Sequence, residues 1–184
     1  MPAQHPDNRD NVIERIYSAA SGLNPWGAAL AQLSNYCDAE ASYIDVVMSE
    51  TKRRVCLVGA FGHAQSLIER YHDYGYLIDP TTSHILANAG QPILFSDLLQ
   101  REIGSPAFHK EFIAARGTDH VLAIGLKSEV GMLLVKLSRG CSSRPFTENM
   151  AQRLEGIAHH LRQAVVIDRA ISRRMETESF TTSI

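Results

Sequence analysis

The chain has 184 residues and a formal net charge of −2, and its hydrophobic fraction of 45% and charged fraction of 21% are typical of a globular domain. The near-neutral charge excludes nucleic-acid binding by bulk electrostatics, and no apolar run approaches the roughly 18 residues of a membrane-spanning helix. The cysteines at positions 37, 56 and 141 are too widely spaced to predict a disulfide framework or a zinc site. The N-terminal segment is polar and unlike a signal peptide, so we expect a cytoplasmic protein.

Two helices and two strands are predicted in the first third of the chain. Apolar residues at helical spacing indicate helices over residues 9–21 and 25–37, the second with a proline at its first turn. Alternating apolar residues then predict strands over 42–48 and 55–61, joined by a polar hairpin loop at 49–52.

The middle of the chain reads as a helical crossover that leads to a second hairpin. Helices are predicted over 64–75 and after the Asp79-Pro80 pair, followed by a short strand near residues 92–95. A further helix begins at Ser105-Pro106. Two long strands follow it, and Thr147 then precedes a long final helix.

This order of elements predicts an α/β (α+β) fold. Two hairpins on either side of a helical crossover favour a single five-stranded antiparallel sheet with helices on both faces. We expect the first and last helices to share one face and the middle helices to cover the other, where a cavity can form. The boundaries predict one α/β domain over residues 1–146, and a signalling or dimerisation helix with a polar tail over 147–184.

The final helix carries an apolar stripe with steps of four and three residues. Its members are Met150, Leu154, Ile157, Leu161, Ala164, Ile171 and Met175, with Asp168 as the single polar residue at the same spacing. A period of 3.5 is typical of a seam between paired helices, so we expect a homodimer in which Asp168 weakens the seam. The alternative is a helix packed only on its own sheet, but about 28 residues span roughly 42 Å, more than the width of such a domain.

Four residues of the first strand and the crossover are candidate ligand contacts. Tyr71 and Tyr74 combine aromatic bodies with hydroxyl groups, which suit an apolar pocket with a few polar anchors, although ordinary packing also explains them. Tyr43 and Asp45 share one face of the first strand. A buried Asp45 needs a partner or a function, and otherwise faces solvent.

Asp79 and His120 complete the candidate set. Asp79 either caps the helix that begins at Pro80 or anchors a ligand, and His120 is either a ligand donor or a structural histidine on its strand face. We expect a closed cavity of roughly 300 Å³ or more, lined by Tyr43 and the tyrosines near residue 74. No HExxH, GxSxG, P-loop or GxGxxG motif occurs, so neither catalysis nor a cofactor nor a metal site is predicted.

Several segments resemble the sensor domains of LuxR-type helix-turn-helix transcriptional regulators. They are YHDYGYLIDP at residues 71–80, SPAFHKEF at 105–112 with Gly117, and RPFTE at 144–148. The resemblance covers about residues 12–171 and implies a GAF/PAS-like sensor that acts on DNA through a domain absent from these residues. The members that bind N-acyl homoserine lactones have a Trp, a Tyr four residues later and then an Asp. The only tryptophan here is Trp26, so a lactone ligand is not implied.

The sequence thus predicts a regulatory domain that binds a small apolar or aromatic molecule and signals through a dimeric C-terminal helix. A ligand-free dimerisation module of the same fold is the alternative. The sequence specifies neither the ligand nor the direction of the response.

Overall fold

The computed structural model describes residues 9–48, 55–98 and 105–181. The elements in chain order are α1 (Arg9–Ala20), α2 (Trp26–Tyr36), β1 (Ala41–Val47), β2 (Val55–Phe61), α3 (Gln65–Arg70), α4 (Tyr76–Ile78), α5 (Pro80–Ala87), β3 (Ile93–Phe95), α6 (Pro106–Phe108), β4 (Thr118–Ser128), β5 (Gly131–Gly140) and α7 (Glu148–Thr181). The predicted hairpin loop at 49–52 lies outside these residues. Among the helices described, none is both long and apolar enough to span a lipid bilayer.

The strands form one sheet in the order β2-β1-β5-β4-β3, and every neighbouring pair is antiparallel. This confirms the predicted five-stranded sheet. The order follows from the two hairpins, β1–β2 and β4–β5, which join through pairing of β1 with β5. The middle helices occupy the connection between the two hairpins.

Successive strand residues point to opposite faces, and each face builds its own core. On one face Ile44, Leu122 and Val135 pack with apolar side chains of α1, α2 and α7. On the other face Tyr43 and Leu134 pack with side chains of the crossover. The predicted sharing of one face by the first and last helices is therefore confirmed.

The crossover contains two π-helical turns, Tyr71–Gly75 between α3 and α4 and His109–Ile113 after α6. The continuous helix predicted over 64–75 is therefore interrupted. A Cβ atom at Gly75 would lie 2.7 Å from Cζ of Phe112. The glycine thus lets the two wide turns approach each other over the sheet. π-helical turns of this kind occur frequently at functional sites.

The final helix α7 has 34 residues, which corresponds to about 51 Å. Its predicted seam residues from Leu154 to Ala164 are fully buried within their own domain. The prediction that this part forms a seam between chains is wrong, because α1 and the sheet already cover it. Asp168 also contacts its own domain, because it accepts a hydrogen bond of 3.0 Å from Nε1 of Trp26. Residues 171–175 are exposed.

Candidate ligand-binding site

A small cavity lies between the sheet and the crossover. Its volume is about 30 Å³, which is room for one or two water molecules. The expected 300 Å³ is wrong for this structure, because aromatic side chains fill the space: the ring of Phe112 lies 5.7 Å from that of Tyr71 and 5.4 Å from that of Phe108. The lining side chains are Tyr43, Tyr71, Asp79, Thr81, Leu98, Phe108, Phe112, Ile113, Arg116, Thr118, Val121, Lys136 and Ser138.

A buried ion pair faces this cavity. Nζ of Lys136 lies 2.6 Å from Oδ2 of Asp79, and both side chains are almost fully enclosed. The ammonium also lies 3.1 Å from Oγ1 of Thr81, 3.2 Å from Oγ1 of Thr82 and 3.3 Å from the hydroxyl of Tyr71. A lysine has three protons to donate, so the pocket saturates its hydrogen-bonding capacity. We refer to Lys136, Asp79, Tyr71, Thr81 and Thr82 as the polar cluster.

Asp79 holds the polar cluster together. It caps α5 by accepting from the backbone N–H of Thr81 at 2.8 Å, as predicted, and it also accepts from the hydroxyl of Tyr71 at 2.6 Å. Burial alone would raise the pKa of Asp79. The charge of Lys136 and the hydrogen bonds donated by Lys136, Tyr71 and Thr81 outweigh burial, so the pKa lies below its usual value. The carboxylate is therefore ionised at neutral pH.

Strand register explains why Lys136 reaches the cavity. Lys136 pairs with Tyr43 across β1 and β5, so both side chains lie on the crossover face. Nζ lies 5.8 Å from the ring centroid of Tyr43 and 5.7 Å from that of Tyr71, which adds a cation–π contribution. Burial raises the pKa of both tyrosines, so their hydroxyls stay protonated and can donate. Sequence reasoning missed Lys136, although it is the only charge among the apolar residues 132–137.

A second, more open pocket of about 230 Å³ adjoins the cavity at one end of the sheet. Arg116, Thr118 and Ser138 line both spaces and therefore lie between them, and we refer to the open pocket as the mouth. Nη2 of Arg116 lies 2.9 Å from Nε2 of His63 in this mouth. Burial and the neighbouring guanidinium lower the pKa of His63 to about 3, so its ring is neutral and accepts from Arg116.

The cavity brings together three of the predicted site residues, Tyr43, Tyr71 and Asp79. That they bind a ligand stays a prediction. Tyr74 lies away from the cavity, because the π-helical turn directs its half-exposed side chain toward Glu111, to which its hydroxyl donates a hydrogen bond.

Asp45 is buried on the crossover face but does not line the cavity. Its Oδ1 lies 2.8 Å from Nε2 of His72, whose Nδ1 lies 2.9 Å from the carbonyl oxygen of Ile68. Burial disfavours a charged His72, but the hydrogen bond and charge of Asp45 and the carbonyl of Ile68 outweigh it and raise the pKa of His72. Of the alternatives predicted for Asp45, the structure shows a buried carboxylate that is paired with His72.

His120 lies on the opposite face of the sheet from the cavity. Asp119 is an extra residue in β4 relative to β5, and His120 pairs with Arg139 beyond this bulge. Its side chain accordingly follows Leu122 onto the α7 face. Nδ1 of His120 is buried and has no hydrogen-bond partner among the described residues. The sequence grouped His120 correctly with its strand neighbours but did not show which face they cover.

The described residues contain no group of three or more His, Cys, Asp or Glu side chains placed to hold a metal ion. What the site offers chemically is a fixed ammonium, a fixed carboxylate and tyrosine hydroxyls beside apolar walls. A small molecule that replaces one of the present contacts of these groups can exchange hydrogen bonds with them in a low-dielectric space.

No protein-family model and no curated protein matches the sequence. Solved structures do match in fold. An N-acylhomoserine lactone dependent LuxR family transcription factor, CepR2 from Burkholderia cenocepacia, is 19% identical over 85% of this chain and 92% of its own, with a TM-score of 0.57. The VqsR LBD domain from Pseudomonas aeruginosa is 16% identical over 88% and 96%, with a TM-score of 0.58.

A GAF domain/HD domain protein from Geobacter sulfurreducens is 14% identical over 83% of this chain and 97% of its own, with a TM-score of 0.55. The class that the fold defines is thus an α/β domain with a GAF-like fold. Within that class, the chain shares its fold with the LuxR family transcription factor CepR2 and with the VqsR LBD domain, which confirms the fold that the sequence resemblance implied.

Proposed function

We propose that this chain is a sensor domain that binds a small apolar or aromatic molecule and relays binding through α7 to a DNA-binding domain beyond this sequence. The observation that carries the proposal is the polar cluster, a buried set of charged and hydroxyl groups that opens onto a cavity with aromatic walls. Ligand sites combine mostly apolar walls with a few fixed polar groups in this way.

The fold supports the same role, because the solved structures with this fold include sensor domains of transcription regulators. CepR2 is described as dependent on N-acylhomoserine lactone. The aromatic pattern of this chain differs from that of the lactone-binding members, so we propose a different ligand. No catalytic role is proposed, because the polar cluster contains no nucleophile with a free base beside it.

Ligand entry requires the aromatic side chains of the cavity to move. The rings of Phe108 and Phe112 come from α6 and the π-helical turn after it, so a shift of this turn enlarges the cavity without breaking the sheet. The free energy of this shift is subtracted from the binding energy. A ligand that binds the open form better than the closed form thereby changes the position of the crossover.

A thermal-shift screen of small aromatic and apolar compounds tests ligand binding. Compounds that bind the folded state raise the melting temperature by linkage. We expect Ser138→Leu, which fills space shared by the cavity and its mouth, to abolish the shift. Ser83→Leu on the exposed surface of α5 is the matched control and should retain it. A shift that survives in Ser138→Leu places the ligand elsewhere and contradicts the proposal.

The relay is proposed to act through a second copy of the chain on the end of α7. Ile167, Ile171 and Met175 are exposed and spaced four residues apart, so they form one apolar stripe where the helix leaves its own domain. In sedimentation equilibrium, Ile171→Glu should weaken dimerisation, whereas Ser172→Glu on the neighbouring face should not. A wild-type protein that stays monomeric at high concentration contradicts this part.

A ligand-free dimerisation module is the second candidate, and the cavity volume of about 30 Å³ favours it. In that case the polar cluster only fixes the crossover on the sheet. Dimerisation would then depend on Ile171, while no compound in the screen would change the melting temperature.

A further inference from the structure

The side chain of Arg116 lines the mouth and carries a positive charge there. Arg116 sits at the end of a short 3-10 turn, just before the left-handed Gly117, and points into the mouth of the cavity. Among the described residues its polar partner is the neutral ring of His63, and no carboxylate lies within salt-bridge distance. Burial lowers the pKa of Arg116, whereas Tyr43, Tyr71 and the charge of Asp79 act in the opposite direction. Enclosed charges normally have a counter-charge.

The other charged residues around the mouth are already engaged. Arg139 pairs with Asp38 at 2.7 Å and donates to the backbone carbonyl of Arg144 at 2.8 Å. Glu40 accepts from the backbone N–H of Gly140 at 3.1 Å and from the hydroxyl of Ser143. Of the two arginines that line the mouth, Arg116 has no ion pair with a described residue, whereas the charge of Arg139 is balanced by Asp38 and Glu40 keeps its negative charge. The arrangement fits an anionic group supplied from outside the chain.

We infer that the mouth binds the carboxylate of a small organic acid, with Arg116 as its anchor. This inference rests on the proposed function and specifies its ligand class: the apolar or aromatic part of the acid enters between the sheet and the crossover. A guanidinium donates two parallel hydrogen bonds to a carboxylate, which fixes the orientation of the acid. The hydroxyls of Thr118 and Ser138, on the inner side of the mouth, are placed to accept or donate further.

The dimensions of the mouth agree with the carboxylate end of this ligand class, and the apolar end enters the inner cavity of about 30 Å³ once Phe108 and Phe112 have moved. The mouth has a volume of about 230 Å³, close to the lower end of the roughly 300–1,000 Å³ of small-molecule pockets. Beyond Arg116 the inner cavity adds apolar side chains beside the polar cluster, with Phe112 and Ile113 on the crossover side and Val121 on the sheet. An acid whose other end is apolar or aromatic can pack against these side chains.

Two titrations test the inference. In the first, sodium acetate is added at constant ionic strength while the amide resonance of Gly117, next to Arg116, is followed by NMR. We expect a saturable shift with acetate and none with acetamide. Arg116→Gln should weaken the response at least about tenfold, as for the loss of a charge-assisted double hydrogen bond. Arg116→Lys keeps the positive charge and should weaken the acetate response less than Arg116→Gln does. This variant also tests the site if Arg116→Gln does not fold.

Arg70→Gln is the matched control, because Arg70 is exposed on α3 outside the mouth. In the second titration, phenylacetate and phenylacetamide are compared by thermal shift. We expect only the acid to raise the melting temperature, and Arg116→Gln to remove the rise. Equal stabilisation by the amide overturns the carboxylate site but supports the proposed function. An acetate response that persists in Arg116→Gln also overturns it. Acetate binding without any response to either aromatic compound supports the site and contradicts the proposed function.

Discussion

Replacing Lys136 by methionine removes the charge of the polar cluster while keeping a side chain of similar length. The carboxylate of Asp79, 2.6 Å from Nζ, would then be buried without a counter-charge. Breaking a buried pair by removing one partner costs about 3–5 kcal/mol, a large part of the roughly 5–15 kcal/mol that stabilises a domain. We expect the lower end of that range, because Tyr71 and Thr81 still donate hydrogen bonds to Asp79.

The double variant Lys136→Met/Asp79→Asn separates charge from packing. Asparagine caps a helix as well as aspartate does, so the bond to the backbone of Thr81 can persist. Asp79→Asn alone leaves the ammonium of Lys136 unpaired and should cost about 3–5 kcal/mol. The double variant contains neither charge, so its loss should be smaller than the sum of the two single losses, by about 2–3 kcal/mol.

Urea unfolding at pH 7 followed by circular dichroism measures these free energies. Lys127→Met is the matched control, since Lys127 is an exposed lysine near the end of β4, and it should change stability by less than about 0.5 kcal/mol. Two results would refute the reasoning. One is strict additivity of the two single variants. The other is a Lys136→Met variant as stable as the control.

Further predictions concern two histidines and the end of α7. The pKa of His63 falls to about 3 in the folded state from an ordinary value near 6.5, so this residue contributes stability above pH 6.5 that is lost as the pH falls toward 3. His63→Gln should flatten that decline in stability measured from pH 7 to 4. His72 has a raised pKa, so its contribution is complete below pH 6.5 and is lost as the pH rises through its folded pKa. His72→Gln should remove this loss, and an unchanged pH profile would contradict the pairing with Asp45. Asp168→Ala removes the acceptor of the sole tryptophan and should lower the free energy of unfolding by about 1 kcal/mol, in unfolding curves followed by tryptophan fluorescence. An equal loss in the exposed control Glu155→Ala would contradict that role.

Much of the architecture could be predicted from local patterns. Period-2 alternation identified the strands, and two hairpins around a crossover leave few ways to form one sheet. The stripe from Leu154 to Ala164 was assigned to the wrong partner for a physical reason. A repeat of 3.5 drifts only about 20° per heptad from a repeat of 3.6, so over two heptads a coiled-coil seam and an ordinary buried face look alike.

The site was harder to predict because it depends on contacts between distant elements. Tyr74 was grouped with Tyr71 on the assumption of an α-helix, and the wider π-helical turn separates them. Lys136 becomes a site residue only when β5 pairs with β1 and α5 brings Asp79 above it. A lone lysine in a strand that is otherwise buried is nevertheless a readable signal, because burial of a charge requires a partner.

The sheet connects the proposed binding site to the helix that would carry the signal. On β5, Lys136 faces the cavity while its neighbour Leu137 packs in the core on the α7 face. Arg139 lies three residues after Lys136 on the same strand. Its guanidinium lies 4.2 Å from the ring centroid of Phe146, just before α7 begins, and it also pairs with Asp38. A ligand that draws Lys136 away from Asp79 therefore acts on the same strand that fixes the start of α7. Such a ligand can change the position of α7 only if it binds the shifted form of the domain more tightly than the unshifted form. We therefore expect ligands that replace the contacts of the ammonium to give a stronger signal than ligands that only fill space.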